Sequence, residues 1–251
     1  MQNENQKDDM IIGRNAVSEA LKSGRTIDSL LVAKGSVSGT LLKIAAQCRE
    51  RGIVVKDVDS RKLDYMCGHG NHQGVIALAA VKEYAQIEDI FESAKQKGEQ
   101  PLIIICDELE DPHNLGAIIR SADAAGAHGV IVPKRRSASL SYAVGKASAG
   151  AIEYVPVARV PNLAAAIDDL KKNGVWIYGA DMGGSMWCEH DLTGAVAIVI
   201  GSEGKGLGRL IKEKCDFLVS MPMSGNINSL NASVAAGIIM FEVVRQRKGN
   251  I

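Results

Sequence analysis

The chain has 251 residues, 46% of them hydrophobic and 23% charged, with 29 basic residues balanced by 29 acidic ones. That composition excludes disorder, collagen and coiled coil, and the length suits one large domain or two modest ones of about 100–200 residues each. No apolar run approaches the roughly 18 residues of a spanning helix, and the polar start Met1–Asp9 lacks the apolar core of a signal peptide. A cytoplasmic protein without membrane contact is therefore expected. Five scattered cysteines with no CxxC pair argue against a disulfide framework and a structural zinc site.

In chain order, residues 10–82 alternate strand and helix signals and form a first small α/β domain. Ile27–Val32 reads as a strand, Thr40–Arg51 as a helix stopped by Gly52, and Ile53–Val58 and Gln73–Val81 as further strands. This part carries a net charge of +3 over residues 1–82, whereas residues 83–100 carry −3. The acidic stretch reads as a linker ending in a capping helix at Ile87–Ala94. From Pro101 to the end, short apolar runs alternate with helices. The predicted strands are Leu102–Cys106, Val130–Val132, Ile152–Val157, Val175–Ala180, Val196–Ile200 and Phe217–Ser220. The helices are Asn114–Ala125, Leu140–Ala149, Leu163–Lys172, Leu207–Lys214 and Asn228–Arg247. Continuous apolar strands between helices imply a parallel sheet covered on both faces. The last helix is given an apolar stripe of Leu230, Val234, Ile238, Phe241 and Val244.

Parallel α/β sheets place their sites in loops at the carboxyl ends of strands, and three such loops stand out. In Asp107–Arg120, Asn114 reads as a helix cap. Arg120 leans back toward the helix start over the space left by Gly116, an arrangement that invites an anionic partner. The plainer alternative is that Arg120 pairs with Asp123 on the surface. In Ile200–Gly208, four glycines let a ligand approach the backbone. Lys205 is followed by Gly206 rather than Ser or Thr, so this is not a P-loop, and the glycine spacing is not that of a dinucleotide fingerprint. In Met221–Ser233, six of the ten residues 224–233 are Ser or Asn. One helix cap needs one of them; the surplus suits recognition of a polar, uncharged ligand. The segment Cys67–His72 matches no common zinc spacing, and no metal is expected. Lys134-Arg135-Arg136 is a basic loop tip, either a solvated face or, near a site, a grip on phosphate.

These loops, in this order, resemble the SpoU/TrmH family of RNA 2′-O-ribose methyltransferases. The resemblance rests on Asn114-Leu-Gly116-Ala117-Ile-Ile-Arg120, then Gly201-Ser-Glu203-Gly-Lys-Gly206-Leu207, then Pro222-Met223-Ser-Gly225 running on to Ser229-Leu230-Asn231-Ala-Ser233. Ile12-Gly13-Arg14-Asn15-Ala16-Val17 and Asn71-His72-Gln73-Gly74-Val75 are similar to the family's small substrate-binding domain, which resembles ribosomal protein L30e. The bacterial 23S rRNA guanosine 2′-O-methyltransferases are the nearest subgroup. Met221 departs from the family's usual isoleucine and Ala232 from its valine.

The resemblance implies an L30e-like domain followed, over residues 101–251, by a SPOUT methyltransferase domain whose chain threads a deep trefoil knot. It implies S-adenosyl-L-methionine as cofactor, held by Gly201, Met221 and Leu230. Asn114, Arg120, Glu203, Ser229 and Asn231 take the catalytic and site-organising positions. The implied partners are RNA, most directly 23S rRNA or a ribosome-assembly intermediate, and a second copy of the chain. Transfer RNA as substrate, or a catalytically idle RNA-binding protein of the same fold, are the competing readings.

Overall fold

The computed structural model describes residues 10–35, 38–226 and 229–249. They divide into two compact units. One comprises the chain through Glu83 together with Ser139–Ala143, the other Tyr84–Ala138 and the chain from Val144 onward.

The first unit is built on a four-stranded sheet of β1 (Met10–Ile12), β2 (Ile27–Ala33), β3 (Val54–Val58) and β4 (Val75–Ala79), in the order β1-β4-β2-β3. Only the β2–β3 pair is parallel. Every residue of β2 is buried, because helices cover both faces. Leu30 and Val32 point into a cluster with Val17 and Leu21 of α1 (Arg14–Lys22) and Leu41 and Ile44 of α2 (Gly39–Glu50). Leu31 and Ala33 point the other way, toward Leu63 of α3 (Ser60–Met66). The sequence analysis did not anticipate β1, α1 and α3, which are short.

The second unit carries a six-stranded sheet with every neighbouring pair parallel. Its strands are β5 (Leu102–Cys106), β6 (Gly129–Pro133), β7 (Val157–Val160), β8 (Trp176–Met186), β9 (Val196–Ile200) and β10 (Phe217–Ser220), in the order β10-β8-β9-β5-β6-β7. Its helices are α4 (Ile87–Lys97), α5 (Pro112–Ala124), α6 (Tyr142–Ala147) from Val144 onward, α7 (Leu163–Lys172), α8 (Arg209–Lys214) and α9 (Ala232–Lys248). The central strands β5 and β9 are wholly buried, as strands covered on both faces must be. α4, expected as a capping helix, packs into this core: Ile90 is fully buried, and a Cβ on Gly129 would lie 2.5 Å from it.

Three expectations are corrected. The seventh strand is Val157–Val160, not Ile152–Val157; Ala151–Glu153 is a short 3-10 turn. Pro156 has no N–H to give to a ladder, so regular pairing begins after it. Asn114 does not cap α5. Asp111 does, accepting from the His113 amide at 3.1 Å, with Pro112 in the first turn where its missing donor costs nothing. The last helix begins at Ala232, capped by Asn231, rather than at Asn228, which lies outside the described residues. Among the described residues no helix is long and apolar enough to cross a membrane.

Candidate functional site

The carboxyl end of β9 runs into a tight hairpin. Ser202 and Gly206 exchange two backbone hydrogen bonds, of 3.1 and 2.9 Å, and Gly204 and Gly206 take left-handed φ values of +83° and +65°. A Cβ on Gly201 would stand 2.2 Å from the Gly206 carbonyl carbon. These three glycines thus have structural duties, closing the turn and letting the chain cross itself, beyond any approach of a ligand.

The hairpin aims Glu203 at two asparagines from distant parts of the chain. Asn231 Nδ2 donates to Glu203 Oε1 at 2.6 Å and to Asn114 Oδ1 at 2.8 Å, and Asn114 Nδ2 donates to Glu203 Oε1 at 3.1 Å. The orientation of the Asn231 amide is fixed by its other end. Its Oδ1 accepts from the Ser233 amide (3.0 Å), the Ser233 hydroxyl (2.6 Å) and the Val234 amide (3.2 Å), all donors at the start of α9. One side chain therefore caps α9 with its oxygen and ties the three loops together with its nitrogen. Glu203 Oε2 has no partner among the described residues.

Beside this junction lies a cavity of about 590 Å³. Gly201, Glu203 and Lys205 line one side, Met221, Ser229 and Leu230 another, and Asp181, from β8, a third. Burial pushes the Asp181 carboxyl up, but the Lys212 ammonium at 2.9 Å and the Gly183 amide outweigh it, and the group sits below the ordinary carboxylate value. Asp107, just past β5, is the reverse case. It is 4% exposed, burial holds its pKa above the usual value, and the 2.7 Å bond from the Gly208 amide only partly offsets this. That bond fastens the end of the hairpin loop to β5. Sequence reasoning passed over Asp107, although a carboxylate directly after a buried strand was the available signal.

Of the residues singled out from sequence, Asn114, Glu203 and Asn231 meet, and Gly201, Met221, Ser229 and Leu230 share the cavity wall. Arg120 does not line it. The guanidinium is exposed on α5 with no hydrogen bond or ion pair among the described residues, so the pairing with Asp123 is not formed. Gly116 leaves no space for a ligand either. A Cβ there would lie 2.4 Å from Ala147 Cβ and 2.8 Å from the Val144 carbonyl, so this glycine serves the close packing of α5 on α6.

In the first unit, the two sequence segments noted above come together. The Arg14 amide donates to Gln73 Oε1 at 3.0 Å and Arg14 Nε to the Gln73 carbonyl at 2.9 Å. His72 Nδ1 accepts from the Gly74 amide at 2.9 Å, which leaves Nε2–H to donate to Asp64 at 3.0 Å. The Cys67 thiol turns to the Asp64 and Gly70 carbonyls. These ligand-type side chains are thus spent on holding the loop.

Comparison with known proteins matches residues 101–241 to the SpoU rRNA methylase family and residues 10–85 to the RNA 2′-O ribose methyltransferase substrate-binding domain. A Bacillus subtilis (strain 168) protein assigned to the TrmH family of tRNA/rRNA methyltransferases is 50% identical over 243 residues, covering 96% of this chain and 97% of that one. A Staphylococcus haemolyticus (strain JCSC1435) protein with the same assignment is 47% identical, with the same coverage. Among solved structures, a SpoU methyltransferase from Streptomyces viridochromogenes in complex with AdoMet superposes with a TM-score of 0.61 at 26% identity, over 99% of this chain and 94% of that one. An AdoMet-bound rRNA methyltransferase from Sinorhizobium meliloti gives 0.58 at 27%, over 93% and 85%.

Proposed function

This chain belongs to the SpoU/TrmH family of RNA methyltransferases, and we propose that it methylates the ribose 2′-hydroxyl of a specific RNA nucleotide, a guanosine of 23S rRNA. The observation that carries the reading is the junction of Asn114, Glu203 and Asn231, which ties the three loops at the edge of a cavity of about 590 Å³.

The cavity fits S-adenosyl-L-methionine in size, within the range of about 300–1,000 Å³ for small-molecule sites. It also fits in character, with the backbone of the Gly201–Gly206 loop on one wall and the apolar side chains of Met221 and Leu230 on another. Gly201, Met221 and Leu230 would hold the cofactor, whose bound form supplies an electrophilic methyl group on a sulfonium. The chain's own task is to align a ribose hydroxyl for in-line displacement and to ease loss of its proton. Ser229 and Asn231, facing the cavity, position the ribose. Glu203 keeps the Asn114 and Asn231 amides in place, so the site needs no reorganisation as charge develops. Arg120 is the anion-gripping group. A guanidinium hardly deprotonates in proteins, so its part is to hold a phosphate and favour the developing alkoxide, not to act as a base.

The same reading includes the first unit as the RNA-holding module, a knotted C-terminal chain, a cytoplasmic location and a homodimer. The dimer is favoured by the exposed apolar residues Val234, Ile238 and Phe241 of α9. The test is transfer of label from AdoMet to purified 23S rRNA and tRNA, followed by mapping of ribose methylation. Label at a guanosine of 23S rRNA is expected. Label in tRNA alone would move the substrate, and cofactor binding without transfer to either RNA would leave an idle RNA-binding protein.

A further inference from the structure

A second cavity, of about 470 Å³, opens where β5, β6 and β7 end. Glu108 and Asp107 bound it on one side, Arg135 and Arg136 on another, and Arg209 on a third. None of these lines the first cavity. The two are nevertheless fastened to one loop: Gly208, whose amide binds Asp107, follows the Gly201–Leu207 stretch that carries Glu203.

Two features mark this groove as more than a surface hollow. Glu108 and Arg136 both adopt left-handed backbone, at φ of 53° and 55°, although neither is glycine. They face each other across the groove in an ion pair of 2.7 Å. Non-glycine residues rarely take that conformation, and such strain gathers at functional sites. Second, both carboxylates are engaged, Asp107 by a backbone amide and Glu108 by Arg136, whereas the Arg135 and Arg209 side chains stay exposed. Arg135 is exposed with no partner among the described residues. Arg209 holds only Glu213, one turn along, in a pair whose arginine is 92% exposed; such pairs contribute little and yield easily. Leu163 and Ala164 add the first turn of α7, where backbone amides lack intrahelical acceptors. Among the described residues no aromatic side chain lines the groove, so arginine is what it presents to a nucleic acid. Arginine forks match phosphate oxygens.

We propose that this groove holds the phosphodiester backbone of the RNA strand flanking the methylated nucleotide, with Arg135 and Arg209 as the gripping residues. The proposal rests on the RNA methyltransferase reading and adds the second unit's own share of substrate binding. Because Gly208 links groove and hairpin, a strand seated here is held beside the loop that positions Glu203.

The test uses the full-length protein and the variant R135A/R209A. RNA binding is measured without cofactor across a salt series, AdoMet binding by calorimetry, and methylation in single turnover. Each lost phosphate contact should make the slope of log affinity against log salt shallower by about 0.7–0.9, so the double variant should lose about 1.5 units. Half-saturating RNA should rise about tenfold, two charge-assisted contacts being lost. AdoMet affinity, melting temperature and the rate at saturating RNA should stay as in the wild type, and R135K/R209K should keep the wild-type salt slope. If the double variant melts early, R135A alone serves, with a change of about 0.8 units. An unchanged salt slope in a normally folded variant overturns the proposal, as does a loss confined to AdoMet affinity. Wild-type protein that binds RNA with the predicted slopes but transfers no methyl group would sink the activity and leave the groove standing.

Discussion

Asn231 has two duties at opposite ends of one amide, and they can be separated. Aspartate caps a helix as well as asparagine does, so Asn231→Asp should keep the bonds to Ser233 and Val234 and with them the start of α9. It would, however, set a carboxylate against Glu203 Oε1, now 2.6 Å from Nδ2, and remove the donor to Asn114. Loss of a hydrogen bond to a charged group amounts to about 1.5–3 kcal/mol, so single-turnover methylation should fall about 10–100-fold; full activity with a normal melt would show the junction to be only a cap. Arg120 tests the other half of the site. Exposed and unpaired among the described residues, it has little structural work to lose, and Arg120→Ala should shift stability by less than about 0.5 kcal/mol. If it grips phosphate in the transition state, turnover falls by about 10²–10³, AdoMet affinity holds, and lysine, a point charge without the planar fork, rescues poorly. Wild-type turnover in Arg120→Ala would remove it from the mechanism. Asn114, Glu203 and Asn231 were brought together by the family resemblance; the local pattern alone offered Asn114 as a helix cap, which Asp111 is instead, and Asn231 as one of a run of Ser and Asn. The use of Gly116 was not legible, since its packing partners Val144 and Ala147 lie on a later helix, and local pattern carries no trace of them.

At the scale of elements, the buried strands were readable because apolar runs bounded by glycine, proline or charge have few other uses in a parallel sheet. β8 shows where this reading stops. It continues past Ala180 to Met186 through two glycines, and a Cβ on Gly184 would lie 2.4 Å from the Leu218 backbone. A strand crossed that closely must give up its side chains, and with them the pattern that would reveal it. α9 is the more instructive case. The stripe assigned from spacing contains Val234, Ile238 and Phe241, yet these are 49%, 39% and 49% exposed. The buried face is Ala236, Ile239, Met240 and Val243. The helix is apolar nearly all round, so periodicity cannot choose a face; packing against α5 and β9 does. The face left over, at i, i+4 and i+7, is the one proposed to meet a second copy. Ile238→Glu with Phe241→Glu should convert a dimer to a monomer in sedimentation velocity while the far-UV spectrum and melt hold. A wild-type chain that sediments as a monomer at micromolar concentration would refute the dimer directly.

At the scale of the whole molecule, the division between substrate holding and methyl transfer can be tested by cutting the chain, and the place of the cut matters. The match to the methylase family begins at residue 101, which suggests a fragment of residues 101–251. The structure argues for an earlier start. Ile90 and Ala94 of α4 are buried, and Gly129 lacks a side chain where Ile90 presses on it. His128 is wholly buried, and its Nδ1 accepts from the Leu102 amide at 3.0 Å, so Nε2–H must donate to Glu99, 3.2 Å away. Burial, reinforced by Lys97, holds the His128 pKa below its usual value, so at neutral pH it is a neutral ring whose one N–H has Glu99 as acceptor. Arg247, at the end of α9, donates to the Gln100 carbonyl at 2.8 Å. A fragment starting at 101 would therefore lose the isoleucine that fills the core, at a cost of about 2–5 kcal/mol, and would strand a buried donor at about 1–3 kcal/mol more. That is comparable to the whole stability of a domain, about 5–15 kcal/mol. A fragment of residues 84–251 keeps all of these contacts. It should melt cooperatively and bind AdoMet with the affinity of the full chain, but hold RNA more weakly because the first unit is missing. The 101–251 fragment should be unfolded or markedly less stable in urea. Equal midpoints for the two fragments would mean that α4 is an appendage, and a folded 84–251 fragment that gives no heat with AdoMet would place cofactor binding outside the second unit.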